Sequence, residues 1–348
     1  MKKLRPVLII LIFTLLLSAV ACNPSGKPMS ETYYEYFDTV CSISSYAGES
    51  RAEFSERCRR LESILEKYNR LLDIYHEYDG INNLATVNRN AGISPIRVDR
   101  ELIELLLYAK EIYELTDGEV NIAMGAVLSL WHDYREAAQD TPENAAIPST
   151  EELTQAAGHI SMDCLVIDEK ASTVYLSDSS ASLDVGALGK GYVAERMAEC
   201  LTELGATSYV IDLGGNIRTV GTKKNGDPWI TGITDPDKSS QQAFALRLYL
   251  SDTSCVTSGS YQRYYTVNGK QYHHVIDKDT LYPSSYFSSV SVITRDSALA
   301  DALSTALFVM SYEDGLALCK KIGAVDAVWI KQDGSILMTE GINAILVK

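Results

Sequence analysis

The sequence is poor in the residues that build metal centres and nucleic-acid surfaces. It has 5 His, and its 7 Cys include no CxxC or other metal-ligand spacing, so a zinc site is not expected. Basic clusters are missing too. Lys and Arg total 31 against 46 Asp and Glu, for a formal net charge of −15. Nucleic-acid binding draws its affinity from cations on phosphates, so a nucleic-acid partner is not expected. The same charge disfavours electrostatic docking on anionic lipid. There is no internal repeat. The apolar run from Val7 to Leu17 is too short to span a bilayer, which takes about 20 residues. What the chain does have is 46% apolar residues, enough for a substantial core. A length of 348 residues suggests about two domains, although single domains of this size occur.

The N-terminal residues read as an address rather than as fold. Lys2, Lys3 and Arg5 precede the apolar run, and Ser18-Ala19-Val20-Ala21-Cys22 follows it. That order is a signal peptide over residues 1–21. A cysteine directly after Ala21 resembles a bacterial lipobox, with Cys22 as the acylated residue, although ordinary cleavage beside an incidental cysteine fits as well. The expected location is the extracytoplasmic face of the cell membrane, held by lipid. Residues 22–31, rich in Pro, Ser and Gly, read as a flexible tether. The other six cysteines (Cys41, Cys58, Cys164, Cys200, Cys255 and Cys319) lie in apolar contexts. They read as buried free thiols, though exported proteins can carry disulfides.

Tyr36 to Tyr46 reads as a strand. Residues 53–72 and 99–115 carry apolar side chains at helical spacing, and Asp117-Gly118 ends the second helix. Residues 164–176 read as a hairpin, and 190–204 as a helix stopped by Gly205. Residues 209–213, 244–250 and 290–294 read as strands, 297–310 and 312–321 as helices. Strands and helices interleave without a strict βαβ rhythm, which predicts an α+β fold with mainly antiparallel sheet.

Four segments could carry chemistry. Asp184-Val185-Gly186-Ala187-Leu188-Gly189-Lys190-Gly191 leads into a helix. Its glycines let amides approach a ligand, and a helix N-terminus with Lys190 suits phosphate. It is not a Walker A loop, because the spacing is wrong and no Ser or Thr follows the Lys. A plain helix-capping turn is the alternative. Gly189-x-Gly191-x-x-Ala194 with Asp212 beyond it also superficially fits a dinucleotide fingerprint, which would make the chain an NAD-type oxidoreductase, but no apolar strand precedes it. Asp212-Leu213-Gly214-Gly215-Asn216 is a strand breaking into Gly-Gly, either a ligand contact or a hairpin turn. Thr257-Ser258-Gly259-Ser260-Tyr261 is followed by His273-His274-Val275-Ile276-Asp277. A histidine there could be a base for a hydroxyl, and adjacent strand residues face opposite ways, so only one of the two can serve. On the last helix face, Asp301 and Thr305 are i and i+4. Two hard oxygen donors suit Mg²⁺, though a local Asp–Thr hydrogen bond fits too.

In this order the segments resemble the ApbE family of FAD:protein FMN transferases, over roughly Tyr36 to Val309. The matching pieces are Thr116-Asp117-Gly118, Asp184 to Tyr192, Asp212 to Ile217, Thr257 to Tyr261, His274-x-Ile276-Asp277 and Ala300 to Ala306. The resemblance implies a T-fold-like α+β domain over 32–348 with FAD bound in a cleft. It implies FAD contacts at Asp184 and Lys190, with Asn83 on the adenine side, Trp131 on the flavin side, and Phe37, Gly214, Gly215, Ser258, Gly259 and Ile276 in further contact stretches. Mg²⁺ would be held by the Ala187 main chain, Asp301 and Thr305, and His274 would be the base. The implied reaction moves FMN from FAD to a Ser or Thr hydroxyl of a client, a membrane or exported electron-transfer protein, and releases AMP. An FAD pyrophosphatase and a non-catalytic flavin-binding lipoprotein are the competing readings. Two departures stand out. Phe37-Asp38-Thr39 replaces the family's Met-Gly-Thr. Asp277-Lys278-Asp279-Thr280-Leu281 replaces its Asp-Pro-x-Thr-Gly, so that loop is expected to differ in shape.

Overall fold

The structure, a computed structural model, describes residues 28–348. The signal peptide and Cys22 lie outside the described residues. In chain order the elements are β1 (Met29–Tyr33), β2 (Cys41–Ser45), α1 (Arg51–Leu71), α2 (Leu84–Arg89), β3 (Ile96–Arg97), α3 (Arg100–Leu115), α4 (Gly125–Asp140) and α5 (Thr150–Ala157). Then come β4 (Leu165–Asp168), β5 (Thr173–Leu176), α6 (Gly189–Glu203), β6 (Ser208–Leu213), β7 (Asn216–Gly221), β8 (Trp229–Thr234), β9 (Phe244–Leu250) and β10 (Ser254–Gly259). The chain finishes with β11 (Tyr264–Val267), β12 (Lys270–His273), β13 (Ser289–Thr294), α7 (Ser297–Val309), α8 (Tyr312–Ile322), β14 (Asp326–Ile330), β15 (Ile336–Met338) and α9 (Ile342–Ile345).

An eight-stranded sheet in the order β1-β2-β6-β7-β10-β13-β14-β15 forms the frame, and every one of its pairings is antiparallel. On one face lie α1, α6 and α7, whose Leu61, Met197 and Ala302 share a core with Ile43 and Ile211 of the sheet. The other face is covered by the β8–β9 hairpin and α9, through Trp229, Leu248 and Ile342 against Cys255, Ile293 and Val328. Covered on both sides, β13 buries all its residues, as a central strand should. This is the expected α+β class.

Local chemistry explains most element ends. Ser50 and Glu53 form a capping box at the start of α1. Asp117 and Gly118 stop α3 with φ of 51° and 81°, the left-handed turn that suits Gly. Two expectations are corrected. The strand read over Tyr36–Tyr46 exists only at Cys41–Ser45, because Phe37 and Asp38 take φ of 56° and 49° and make a turn. The dinucleotide reading fails as well. Residues 184–188 before α6 form turns, with the Gly189 amide on the Val185 carbonyl, and the strand after α6 pairs antiparallel with both neighbours, so no βαβ unit is present.

Candidate active site

The N-terminus of α6 is the centre of the site. Asp184 folds back to accept the Gly186 amide at 2.7 Å, which turns the chain into the helix. A helix normally bonds the amide of residue i to the carbonyl of i−4. Gly191, the third residue of α6, has an amide without a partner inside the helix, and it donates to Asp301 Oδ2 at 2.7 Å. The approach of α6 to α7 requires the glycine. A Cβ on Gly191 would stand 2.3 Å from both Asp301 Cβ and the Ser297 carbonyl oxygen. Asp301 is buried, only 4% exposed, and has no ion-pair partner among the described residues. Burial pushes its carboxyl above the ordinary range, while Lys190, the Gly191 amide and Asn216 act the other way. Thr305, one turn along α7, is partly exposed. Its hydroxyl lies 3.4 Å from Ser258 Oγ, which is 2.8 Å from Ser304 Oγ.

These donors suit a hard cation. Asp301 supplies a buried carboxylate and Thr305, one turn further along α7, a hydroxyl, and both are hard oxygen donors. Lys190 sits among the charges of the site. Its ammonium acts on Asp301, Asp184 and His274 alike. Burial raises the Asp184 carboxyl too, with the Gly186 amide, His132 and Lys190 opposing.

His274 follows the end of β12. Its Nδ1 lies 3.2 Å from the Arg263 carbonyl oxygen. A carbonyl only accepts, so Nδ1 carries the proton and Nε2 keeps its lone pair. Burial pushes the imidazole down to about 4, against the Arg263 hydrogen bond and aided by nearby positive charge. His274 is therefore neutral at physiological pH, the form a base needs. His273 differs completely. It is buried, with Nε2 on the Ser284 carbonyl at 2.7 Å and Nδ1 accepting the Val275 amide at 3.2 Å.

The Gly214-Gly215 tip of the β6–β7 hairpin packs on the 36–39 turn. Gly214 has φ of 63°, and a Cβ there would meet Thr39 Oγ1 at 2.2 Å. Phe37 is anchored by its amide on Asn69 Oδ1 at 2.8 Å. Gly259 lies under the Tyr261 ring.

Three residues expected to touch ligand have their side chains engaged elsewhere. Asn83 is 0% exposed. It caps α2, accepting the Thr86 amide, and donates to the Arg70 and His76 carbonyls, so it shapes the 73–83 loop. Trp131 is buried at 3% exposure, stacks on Tyr272 and donates Nε1 to the Leu281 carbonyl at 2.9 Å. The Ile276 side chain is buried in the same cluster. The departed loop keeps a tight turn. Asp277 Oδ1 accepts the amides of Asp279 and Thr280, and Leu281 takes φ of 62°, at the position where the family places Gly. Lys278 pairs with Glu119 at 3.3 Å.

Tyr75, not singled out from the sequence, lies at the margin of these residues. It is 51% exposed, its ring centroid is 5.0 Å from that of His132, and Asp184 and Arg263 act on its hydroxyl. An aromatic in a polar turn after a helix was the available signal. A cavity of about 650 Å³ lined by Thr116, Asp117, Glu119, Asp277, Tyr286 and Met310 touches the motif segments at Thr116, Asp117 and Asp277 and excludes Lys190 and Asp301.

Fold and site together define an antiparallel α+β protein with a lysine and a buried carboxylate at a helix N-terminus and a neutral histidine in the field of that lysine. The ApbE family model matches residues 37–329, and the chain belongs to that family. It is 33% identical over 319 residues to the FAD:protein FMN transferase of Treponema pallidum, covering 87% of this chain and 85% of the relative. Against the Haemophilus influenzae FAD:protein FMN transferase it is 28% identical over 316 residues, with 88% and 87% covered. In fold it is similar to the crystal structure of the ApbE protein from Thermotoga maritima, at TM-score 0.81 and 24% identity over 92% of this chain and 100% of that one. The flavin transferase ApbE from Vibrio cholerae superposes at TM-score 0.76 with 22% identity, over 92% and 100% of the two chains.

Proposed function

We propose that this protein is an FAD:protein FMN transferase that joins the FMN half of FAD to a Ser or Thr hydroxyl of a client protein and releases AMP. The names of the relatives state transfer of FMN from FAD to protein. The observation that supports the chemistry best is the buried Asp301 carboxylate, held by the Gly191 amide at the start of α6 and within the field of Lys190.

Each residue then has a task. Asp301, Thr305 and the Ala187 carbonyl would hold Mg²⁺, which when bound neutralises the diphosphate and makes its FMN-side phosphorus more electrophilic. Lys190 at the start of α6 binds the charge that accumulates on the phosphoryl oxygens. His274 Nε2 takes the proton from the client hydroxyl. The new bond forms between that oxygen and the FMN phosphorus, the bond to the bridging oxygen breaks, and AMP leaves with it. Tyr75, half exposed beside Asp184, offers a ring face to a planar part of the substrate. Water in place of the client would give FMN and AMP.

Anchoring by an acylated Cys22 belongs to the same reading. It would place the cleft at the extracytoplasmic membrane surface, where a membrane or exported electron-transfer client is in reach. Mixing the protein with FAD, Mg²⁺ and such a client tests the reading. Covalently flavinylated client and stoichiometric AMP are expected, and free FMN without labelled client would demote the protein to a pyrophosphatase.

A further inference from the structure

Helices α6 and α7 run antiparallel and are locked at two levels one helical turn apart. At the first, Gly191 donates to Asp301 at 2.7 Å. At the second, Glu195 accepts the Ser297 amide at 2.8 Å. Strand β7 lies beneath both. Arg218 on β7 holds Glu195 through Nε and Nη2 at 2.9 and 3.2 Å, so the second level is tied to the sheet. Side chains two apart on a strand share a face, and two residues before Arg218 stands Asn216. It therefore belongs to the first level, under Asp301. Asn216 is 2% exposed, yet its Nδ2 has no hydrogen-bond partner among the described residues. Buried amide nitrogens are nearly always satisfied. An unused donor thus faces a buried carboxylate that has one oxygen on the Gly191 amide and no counter-ion.

We propose that Asn216 is a positioning residue for Asp301. Its Nδ2, unbonded in this structure, is placed to donate to the carboxylate and so to fix which lone pair Asp301 turns toward a divalent cation. The inference rests on the cation site proposed above. Groups that orient a metal-binding carboxylate typically change metal affinity by about 10- to 100-fold, without touching metal or substrate themselves.

The test is binding of Mn²⁺ in the presence of ADP, a diphosphate with no flavin to transfer, followed by the electron paramagnetic resonance of the free ion. Wild type is expected to saturate and Asp301→Ala to show no saturable binding. Asn216→Ala is expected to bind Mn²⁺ about 10- to 100-fold more weakly while its metal-free melting temperature stays near that of wild type. Asn216→Ser, which retains a short donor, should recover part of the affinity and serves if the alanine variant folds poorly. Wild-type Mn²⁺ affinity in either variant would overturn the positioning role. An absence of saturable binding in wild type would instead overturn the cation site itself.

Discussion

His273 and His274 are neighbours in sequence with opposite circumstances. His273 spends both ring nitrogens on backbone groups, whereas His274 spends one and keeps Nε2 for a substrate. His274→Ala is expected to leave FAD binding nearly unchanged and to slow client labelling by about 10²- to 10⁴-fold, the usual contribution of a positioned base. His273→Ala should act on stability, by about 1–3 kcal/mol from the orphaned buried groups, which urea denaturation reads directly. The pH dependence has a definite sign. With its pKa pushed down to about 4, His274 is deprotonated and competent throughout the neutral range and loses competence as pH falls through about 4. At saturating cation, labelling should be flat from pH 6 to 8 on the His274 account. An acid limb centred on the ordinary histidine range would show that the base is another group or is far less buried. Asp301→Ala should abolish cation-dependent AMP release, and full release at millimolar-scale Mg²⁺ would sink its assignment.

At the scale of elements, the site depends on how closely α6 meets α7. Gly191→Ala places a methyl 2.3 Å from the Ser297 carbonyl oxygen, a backbone group that cannot rotate away. Overpacking of this kind costs about 1–3 kcal/mol, and spreading the helices would also detach the Gly191 amide from Asp301. The expected result is a lower melting temperature together with loss of cation-dependent turnover. A variant with wild-type stability would mean that the helices are not in this register. Strong apolar periodicity made α1, α3, α6 and α7 readable from sequence. By contrast, α4 was missed although its buried Val127, Trp131 and Ala138 stand at i, i+4 and i+11 on one face. The 36–39 turn was misread because apolar Phe37 sits at positive φ, where propensity points to Gly or Asn. In the site, residue type singled out Lys190, Asp301 and His274, and the structure places both Asp301 and His274 within the field of Lys190. At Asn83 and Trp131, named by the resemblance and not by residue type, the side-chain polar atoms bond within the fold, an engagement that arises from tertiary contacts.

The whole molecule is a two-sided antiparallel sheet whose helical side carries the cleft. All six cysteines of the described residues are free, five of them buried, and burial pushes the Cys255 thiol up to about 12. Thiol titration of the native protein should therefore label half-buried Cys200 in preference to the other five, and melting should be indifferent to reductant. On the lipid-anchor reading, Cys22→Ser should move the protein from membrane to soluble fractions without loss of activity in vitro, and continued membrane retention would show another anchor. The central claim, transfer of FMN to protein, is tested most directly by the intact mass of a client bearing an acceptor hydroxyl after incubation with this protein, FAD and Mg²⁺. The account predicts a mass gain equal to the FMN moiety, one AMP released per client labelled, and loss of both in His274→Ala. AMP released while the client mass stays unchanged would contradict it.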